Sequence, residues 1–284
     1  MEQGGVQIQP ELIVNKEQLQ YTPKLSVVIP VLNRAHELPR LFKSLKTQQY
    51  EGEIEIIISD AGSTDGSVEL AQGAGYKVVS APKESGIGAT RKAGCEAATG
   101  EILINTDSDC SWPPNYLNAV ANAFSDPEVI ASYGPVEYTY EGKPPEGLMK
   151  KLVREKMRRD IQRWHRKGQP MMAGPNFAVL KSVYDVVGGF DPRTKRIEEP
   201  VVYIPLWHMP GKIAFVMDQK VETELPWQEK GKPSFRKFFA YKAKNNEWVS
   251  TAKGIIQERL KELPEMKTKV SSIIEERKSR RKAS

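Results

Sequence analysis

The sequence predicts an α/β fold in which helices flank a mostly parallel central sheet, with a helical extension at the C-terminal end. Three observations favour this class. Short apolar, β-branched segments alternate with segments of helical apolar spacing, an order typical of parallel sheets. Polar clusters follow directly after three of the predicted strands. The 284 residues, of which 39% are hydrophobic and 27% charged, have a globular composition that can bury a full core.

The elements of the first half follow from these patterns in order. After a polar extension, strands are predicted over 25–31, 54–59, 76–80 and 101–106, and helices over 37–45, 67–72 and 90–98. The strands are apolar runs such as LSVVIPV and EILINT, which have the length and composition of buried strands. Within 37–45, apolar residues at Leu38, Leu41, Phe42 and Leu45 repeat at the helical period.

The second half is predicted to be less regular. We expect a basic helix over 147–166, an irregular apolar stretch over 173–180, a helical turn over 182–187, an alternating apolar stretch over 202–206, a late strand over 212–216, and charged helices from 234 that break at Pro264. The predicted organisation is an extension (1–24), a domain (25–228) with halves at 25–125 and 126–228, and a basic tail (229–284).

The composition argues against a membrane-spanning or disulfide-rich protein. No apolar run approaches the ~20 residues that cross a bilayer, and residues 1–20 lack the basic-then-apolar pattern of a secretion signal. The two cysteines, Cys95 and Cys110, are too few for a disulfide framework and lack metal-ligand spacing. We therefore expect a cytoplasmic protein.

The net charge of +6 is unevenly distributed. Segments 141–168 and 229–284 carry net charges of +6 and +9, so the rest of the chain is acidic. Basic segments can contact nucleic acid, an anionic membrane or a phosphorylated substrate, and they can also be solvated helix faces. The charge distribution alone leaves these interpretations open.

Asp107-Ser108-Asp109 is the first candidate site. Two carboxylates two residues apart, directly after a predicted strand, can bind one hard cation, and Mg²⁺ and Mn²⁺ favour oxygen ligands. The alternative is a turn that caps a helix. Because ligands bind at the carboxyl ends of strands in parallel sheets, we favour the cation site.

Two further candidates follow other strands. The segment 86–91 begins a predicted helix, where free N–H groups and Arg91 could bind an anion, and a flexible loop is the alternative. No Gly-Lys-Ser/Thr closes this segment, so it is not a P-loop. Asp60 ends the second strand and could accept N–H hydrogen bonds from a nucleobase, with a turn as the alternative.

Glu198-Glu199 is the fourth candidate. A carboxylate can act as a general base on an acceptor hydroxyl, and it does so best where burial raises its pKa toward neutrality. A pair of adjacent surface acids is the alternative. The two residues alone do not decide between these interpretations.

Taken in order, the motifs resemble those of the inverting glycosyltransferase family 2, whose fold is GT-A. The matching stretches are LSVVIPVLNR (25–34), DAGSTDGS (60–67), GIGATRKAG (86–94), ATGEIL (98–103) running into DSD (107–109), GPNF (174–177) and VGGFD (187–191). Each piece is common alone, whereas the ordered series is specific. The resemblance covers the part of the chain between residues 25 and 225.

The resemblance implies roles for individual residues. Pro30, Val31, Asn33 and Asp60 would line the nucleoside, Arg91 would lie near the diphosphate, and Ser108 would also contact the donor. Asp109 would bind the metal, with Asp107 at the ribose or the metal, and Gly174, Asn176, Gly188 and Gly189 would face the acceptor. The family's acidic pair aligns with Glu198 and Glu199, and this alignment implies Glu199 as the catalytic base.

Three features depart from the family pattern. Ala61 stands where a second acid is frequent. Glu199 replaces the usual Asp and precedes Pro200, which is expected to restrict Glu199 to extended backbone. No His occurs in 221–224 after the late strand, so metal ligation would depend on Asp109, phosphates and water.

The expected activity is therefore metal-assisted transfer of a hexosyl group from a UDP- or GDP-linked sugar, with inversion, Glu199 as base and Mn²⁺ or Mg²⁺ as cofactor. The acceptor is expected to be a glycan, a lipid-linked molecule or a small molecule. A sugar nucleotidyltransferase is one alternative. The other is a nucleic-acid-binding protein that uses the basic tail, but no helix-turn-helix, zinc-finger or RNA-recognition signature is present, and we expect no nucleic acid partner.

The tail raises the question of location. Residues 234–263 place aromatic and aliphatic residues among many basic ones. They could lie on the anionic inner face of a membrane, which would suit a lipid-linked acceptor, or pack on the core or on a second subunit of a homodimer. Residues 265–284 are expected to be a partly disordered basic end.

Overall fold

The computed structural model describes residues 7–8, 21–82, 86–139, 172–195, 198–224, 228–229, 232–233 and 250–283. The predicted basic helix over 147–166 and the aromatic part of the tail, 235–248, lie outside these ranges. No helix within the described ranges is long and apolar enough to cross a bilayer.

An eight-stranded sheet forms the centre of the fold. In spatial order its strands are β1 (Gln7–Ile8), β9 (Lys212–Phe215), β6 (Val129–Tyr133), β8 (Phe177–Leu180), β5 (Ile102–Asn105), β2 (Leu25–Val31), β3 (Ile54–Asp60) and β4 (Lys77–Ser80). Strand β8 runs antiparallel to β5 and β6, and every other neighbouring pair is parallel. The predicted mostly parallel sheet is confirmed.

Helices cover the sheet, and two small ribbons stand outside it. The helices are α1 (Leu38–Lys46), α2 (Ser67–Gly73), α3 (Ile87–Glu96), α4 (Tyr116–Ala123), α5 (Lys181–Val186), α6 (Pro200–Leu206), α7 (250–260) and α8 (Leu263–Ala283). The ribbons pair β7 (Val136–Thr139) with β10 (Val221–Glu224) in parallel, and β11 (Gln228–Glu229) with β12 (Lys232–Pro233) in antiparallel.

The local sequence explains why these elements form where they do. All seven residues of β2 are buried, because helices cover both faces of a central parallel strand. A strand in that position therefore has a continuous run of apolar residues in its sequence. In α1 the predicted stripe is correct, since Leu38, Leu41, Phe42 and Leu45 are all buried. The pattern therefore fixes both the sheet and the helix that covers it.

Two predictions for the second half were wrong. Residues 177–180, expected to be irregular, form β8 and are fully buried between two other strands. The alternating stretch 202–206 is helical, and Glu199 adopts φ −65° and ψ −38° instead of extended backbone. Pro200 lies in the first turn of α6, where its missing N–H has no intrahelical partner to lose, so the proline starts this helix.

The C-terminal residues are a packed helix rather than a partly disordered end. Met266, Val270 and Ile274 of α8 are buried in the core cluster, as are Ile255 and Ile256 of α7. For the described part of the tail, packing on the core is thus the correct interpretation. The helical, charged nature of the extension is confirmed.

Arg277 fastens α8 to the body of the protein. It is 9% exposed, and its guanidinium donates to the carbonyl oxygens of Phe124 at 2.8 Å, Pro127 at 2.8 Å and Val129 at 2.9 Å. Since charged donors contribute about 1.5–3 kcal/mol per hydrogen bond, Arg277→Ala is expected to lower the free energy of unfolding in urea by about 3 kcal/mol.

The control for this prediction is Arg280→Ala in the same helix. Arg280 has a side chain that is 76% exposed and pairs with Glu276, and exposed pairs add little to stability. A urea midpoint that stays at the wild-type value in Arg277→Ala would show that α8 is not held by these bonds.

Candidate active site

The carboxyl ends of β2, β3 and β5 meet at one edge of the sheet, and the candidate residues of the first half lie there. The register places Val31 opposite Asp60, and Val28 opposite Asn105. Residues 107–109 therefore leave β5 beside the loops that follow β2 and β3. This edge is where ligands bind in parallel sheets.

Hydrogen bonds join the loops after β2 and β3 into one wall. Asn33 N–H donates to Ser63 Oγ at 2.9 Å, and Asn33 Oδ1 accepts from Thr64 N–H at 2.8 Å. Ala35 N–H donates to Asp65 Oδ2 at 2.9 Å. Asn33 adopts a φ of 55°, a left-handed conformation that Asn tolerates better than most residues.

Asp60 is the last residue of β3, beside this wall, and is buried. Its carboxylate accepts hydrogen bonds from Gly62 N–H at 2.9 Å and Ser63 N–H at 3.0 Å, which is the pattern of an Asx-turn. Pro30 and Val31 are buried within β2. The turn therefore fixes the Asp60 carboxylate at the edge of the sheet.

The first two residues of the Asp-Ser-Asp loop contact different elements. Asp107 is partly exposed and forms an ion pair with Arg91. Ser108 Oγ donates to Glu37 Oε2 at 2.7 Å. The sequence did not single out Glu37, although it lies just after the Asn33 loop, where polar residues at a strand end were otherwise taken as candidates.

Asp109 faces a hydroxyl from a distant strand. Its Oδ1 accepts a hydrogen bond from Thr223 Oγ1 of β10 at 3.0 Å. Burial, together with the negative charge of Asp107, raises the pKa of Asp109 to about 7. No pattern in the sequence marked Thr223 as a site residue, beyond the absence of a His in 221–224.

The carboxylates at this edge fit a cation that a phosphorylated ligand completes. Among the residues that the structure describes, no three Asp, Glu, His or Cys side chains are arranged to hold a metal ion by themselves. Mg²⁺ usually takes one or two carboxylates together with substrate phosphates and water. Asp107 and Asp109 supply that number of carboxylates.

Arg91 lies beneath this edge and is 1% exposed. Its Nε donates to Glu198 Oε1 at 3.0 Å, its Nη1 donates to the Thr106 carbonyl at 3.2 Å, and its Nη2 pairs with Asp107. Burial lowers the pKa of Arg91, but the charges of Asp107, Glu198 and Glu199 outweigh it and raise that pKa overall. Arg91 therefore joins the Asp-Ser-Asp loop to the acidic pair.

The acidic pair is not a surface pair. Glu198 is 3% exposed, and its Oε2 accepts no hydrogen bond from the described residues. Glu199 is partly exposed, and its Oε1 accepts from Gly174 N–H at 3.1 Å. Burial and the charge of Glu199 raise the pKa of Glu198 to about 8, while burial also raises the pKa of Glu199 against the opposing charge of Arg91.

Gly174 leaves the space that the acidic pair needs. A Cβ at this position would lie 2.5 Å from Glu199 Oε1 and 3.1 Å from Arg91 Nη2. Gly174→Ala is therefore expected to push the Glu199 carboxylate away from the Gly174 N–H. Because displacing a reacting group by about 1 Å can cost about 10²-fold in rate, we expect kcat for the sugar transfer that the resemblance implies to fall by about that factor.

Gly73→Ala is the matched control, because a Cβ there meets nothing within 4 Å. It should leave kcat unchanged. Wild-type turnover in Gly174→Ala would mean that the observed position of Glu199 is not needed for the reaction.

Asn176, expected near the acceptor, is inside the protein and fully buried. Its Nδ2 donates to the carbonyl oxygens of Pro135 at 2.9 Å and Gln219 at 2.8 Å, and its Oδ1 accepts from Tyr116 Oη at 2.9 Å. These bonds tie the start of β8 to the segments around it. The structure does not bring Asn176 to the surface beside Glu199.

Gly188 and Gly189, also expected near the acceptor, form a turn that contacts α7. Both have positive φ, 85° and 56°, which glycine adopts without strain. Their carbonyl oxygens accept from Arg259 of α7 at 2.8 and 2.7 Å, and Arg259 also donates to the Val201 carbonyl. These glycines thus form the turn on which α7 is anchored.

The glycines at the start of α3 contact protein. Gly88 N–H donates to the Thr194 carbonyl at 3.0 Å, and a Cβ on Gly88 would overlap with Asp191 and Thr194. Gly86 has a φ of 84° and lies against Lys195. The Gly88 N–H at the helix start is therefore already used within the chain.

Comparison with known proteins places these motifs in a family. Residues 26–188, more than half of the chain, match the family described as Glycosyl transferase family 2. Glycosyltransferase AglE from Haloferax volcanii is 32% identical over 124 residues, which are 42% of this chain and 41% of that protein. Dolichol-phosphate mannosyltransferase from Pyrococcus furiosus is 26% identical over 188 residues, 64% of this chain and 49% of that protein. The chain thus matches less than half of the length of either relative.

A solved structure supports the same fold. The mannosyltransferase PcManGT from Pyrobaculum calidifontis, in complex with GDP-Man and Mn²⁺, superposes with a TM-score of 0.61 at 17% identity and covers 89% of this chain and 74% of its own. At this identity the likeness concerns the fold.

Proposed function

The chain belongs to glycosyl transferase family 2 and has the GT-A fold, and from this premise we propose that it transfers a sugar from a nucleoside diphosphate sugar to an acceptor hydroxyl with inversion. The observation that carries the proposal is the contact of Arg91 with both Asp107 and Glu198. This contact brings the donor-side loop after β5 and the acidic pair before α6 to one edge of the sheet.

The donor is proposed to bind against the wall that the loops after β2 and β3 form together. Asn33 and Asp60 present polar atoms there, and both are fixed by hydrogen bonds. We propose that these residues contact the nucleoside of a UDP- or GDP-linked hexose. The GDP-Man bound to the related mannosyltransferase supports a nucleotide sugar as the class of ligand.

Asp109 and Asp107 would hold Mn²⁺ or Mg²⁺ together with the donor diphosphate. When bound, the cation would neutralise charge that develops on the leaving diphosphate. The chain's own part is to orient the carboxylates. Thr223 holds Asp109 by a hydrogen bond, and Arg91 holds Asp107.

Glu199 is the proposed general base. It is the more exposed member of the acidic pair, and Gly174 N–H holds one of its oxygens. The other oxygen would take the proton of the acceptor hydroxyl as that hydroxyl attacks the anomeric carbon from the face opposite the diphosphate. A single displacement of this kind inverts the anomeric configuration.

The acceptor is proposed to be a glycan, a lipid-linked molecule or a small molecule, with the lipid-linked class favoured by one relative's name, dolichol-phosphate mannosyltransferase. A lipid-linked acceptor would place the protein at the inner face of a membrane, where its basic segments could contact anionic lipids. Co-sedimentation of the full chain with anionic and with neutral vesicles tests this location.

The activity is tested with a panel of UDP- and GDP-sugars in the presence of Mn²⁺. Thermal shift should identify one donor that stabilises the protein, and incubation of that donor with acceptors should release UDP or GDP. Release of pyrophosphate instead would indicate a nucleotidyltransferase. Absence of stabilisation by every nucleotide sugar would contradict the proposal.

A further inference from the structure

We propose that Arg91 is a positioning residue: its buried guanidinium fixes Asp107 and Glu198 relative to each other and does not bind the donor's phosphates. The inference deepens the proposed function and rests on it for the roles of the two carboxylates. It changes the role that the sequence resemblance implies for Arg91.

The first argument is the position of the guanidinium. Arg91 is 1% exposed, so a phosphate at the sheet edge would have to displace its present partners to reach it. Its Nε, Nη1 and Nη2 each bind a protein oxygen, on Glu198, Thr106 and Asp107. The plane of Phe190 lies beside it, with 5.7 Å between the ring centroid and the guanidinium carbon.

The second argument is the balance of charge. Two carboxylates contact this single cation, and a third, Glu199, follows Glu198 directly in the chain. Breaking a buried ion pair leaves a charge without compensation, which is strongly unfavourable. Arg91 is therefore held in place by the same carboxylates that it orders, and drawing it toward a ligand would leave both without their partner.

The third argument is geometric. An arginine presents several donors in one rigid plane, whereas lysine presents a single point charge. Nε faces Glu198 and Nη2 faces Asp107, so one planar group sets the distance between the donor-side loop and the start of the acidic pair. Glu199, the proposed base, inherits its position from Glu198 and from the Gly174 N–H.

The kinetic test is Arg91→Lys, which keeps the charge and loses the planar fork. We expect kcat to fall by about 10²-fold, as for a misplaced reacting group, while the Kd of the nucleotide sugar stays within about threefold. Arg277→Lys is the matched control, since Arg277 is also buried but contacts carbonyls far along the chain from the acidic pair. It should keep kcat. An unchanged kcat in Arg91→Lys, or a loss found mainly in the donor Kd, would overturn the proposal.

A second test does not require any sugar transfer. Arg91→Met should lower Tm by on the order of 10 °C, and adding Glu198→Gln should restore about half of that loss, because it removes one of the two acids that Arg91 contacts. Glu276→Gln, on the exposed face of α8, should add nothing to Arg91→Met. Simple additivity of Arg91→Met and Glu198→Gln would overturn the proposal. Because this readout is stability, it stands even if the protein transfers no sugar, which separates the two failures.

Discussion

Replacing Glu199 with Gln is expected to lower kcat by about 10²–10⁴-fold, the range that a general base contributes, with the Kd of the nucleotide sugar unchanged. Glutamine has nearly the same shape, and its carbonyl oxygen can still accept from the Gly174 N–H, which holds Glu199 Oε1 at 3.1 Å. It cannot take a proton from the acceptor. The loss should therefore appear in kcat, measured with saturating donor and acceptor.

Glu198→Gln is the matched control because it makes the same chemical change one residue earlier. Glu198 is 3% exposed and bound to Arg91, so it cannot reach an acceptor in the present arrangement. We expect a smaller loss, about 10-fold, from the altered charge around Arg91. A larger loss in Glu198→Gln than in Glu199→Gln would indicate that Glu198 is the base and would contradict the assignment of that role to Glu199.

The pH profile gives an independent check of this assignment. Burial raises the pKa of Glu199, and burial together with Glu199 raises the pKa of Glu198 to about 8. A general base works when it has lost its proton, so kcat should increase with pH through this raised range and fall in weakly acidic solution. The two acids interact, so the profile reports the pair rather than either residue.

The acid pair also shows how far the sequence could predict the site. The edge position of Asp60 and of residues 107–109 followed from the order of strands, because parallel strands end at one edge. The helix that begins at Pro200 did not follow, since three of its residues, Val202, Ile204 and Leu206, mimic the alternation of a strand.

Contacts between distant elements account for most of what the sequence missed. Arg91 lies on α3, a helix whose bounds were predicted to within a few residues. Its burial against Glu198, however, depends on how α6 packs, and no local sequence pattern determines that packing. Thr223 reaches Asp109 from a small ribbon outside the main sheet. Such contacts are set by tertiary packing, which overrides local propensity.

The tail was misjudged for a related reason. The end of the tail is rich in basic residues, which predicted a solvated segment: Lys278, Arg280, Arg281 and Lys282. In the structure, however, α8 buries Val270, Ile274 and Arg277. Arginine can be buried where carbonyl oxygens accept its donors. Arg277 follows the buried residues Met266, Val270 and Ile274 at helical spacing, which places it on the same face of α8, but its charge led to its being counted with the exposed basic residues.

Replacing Asp109 with Asn is expected to lower kcat with Mn²⁺ by at least about 10²-fold, the cost of removing one group that stabilises developing charge. Asparagine keeps an oxygen that can accept from Thr223, which lies 3.0 Å from Asp109 Oδ1, so the loop should retain its shape. The negative charge is lost, and carboxylate oxygens are the ligands that hard cations prefer. Thermal shift should accordingly show that Mn²⁺ no longer increases the stability of the donor complex.

Thr223→Val tests the same site without touching a carboxylate. It removes the hydroxyl that donates to Asp109 and keeps the shape of the side chain, and loss of such an orienting partner typically costs 10–100-fold in metal affinity. We expect an intermediate effect on Mn²⁺ affinity, with Asp109→Asn more severe. If Asp109→Asn kept wild-type turnover in the presence of Mn²⁺, the cation would have to be held elsewhere. The graded order of the two variants separates loss of a ligand from loss of its orientation, because only the carboxylate carries the charge that a cation requires.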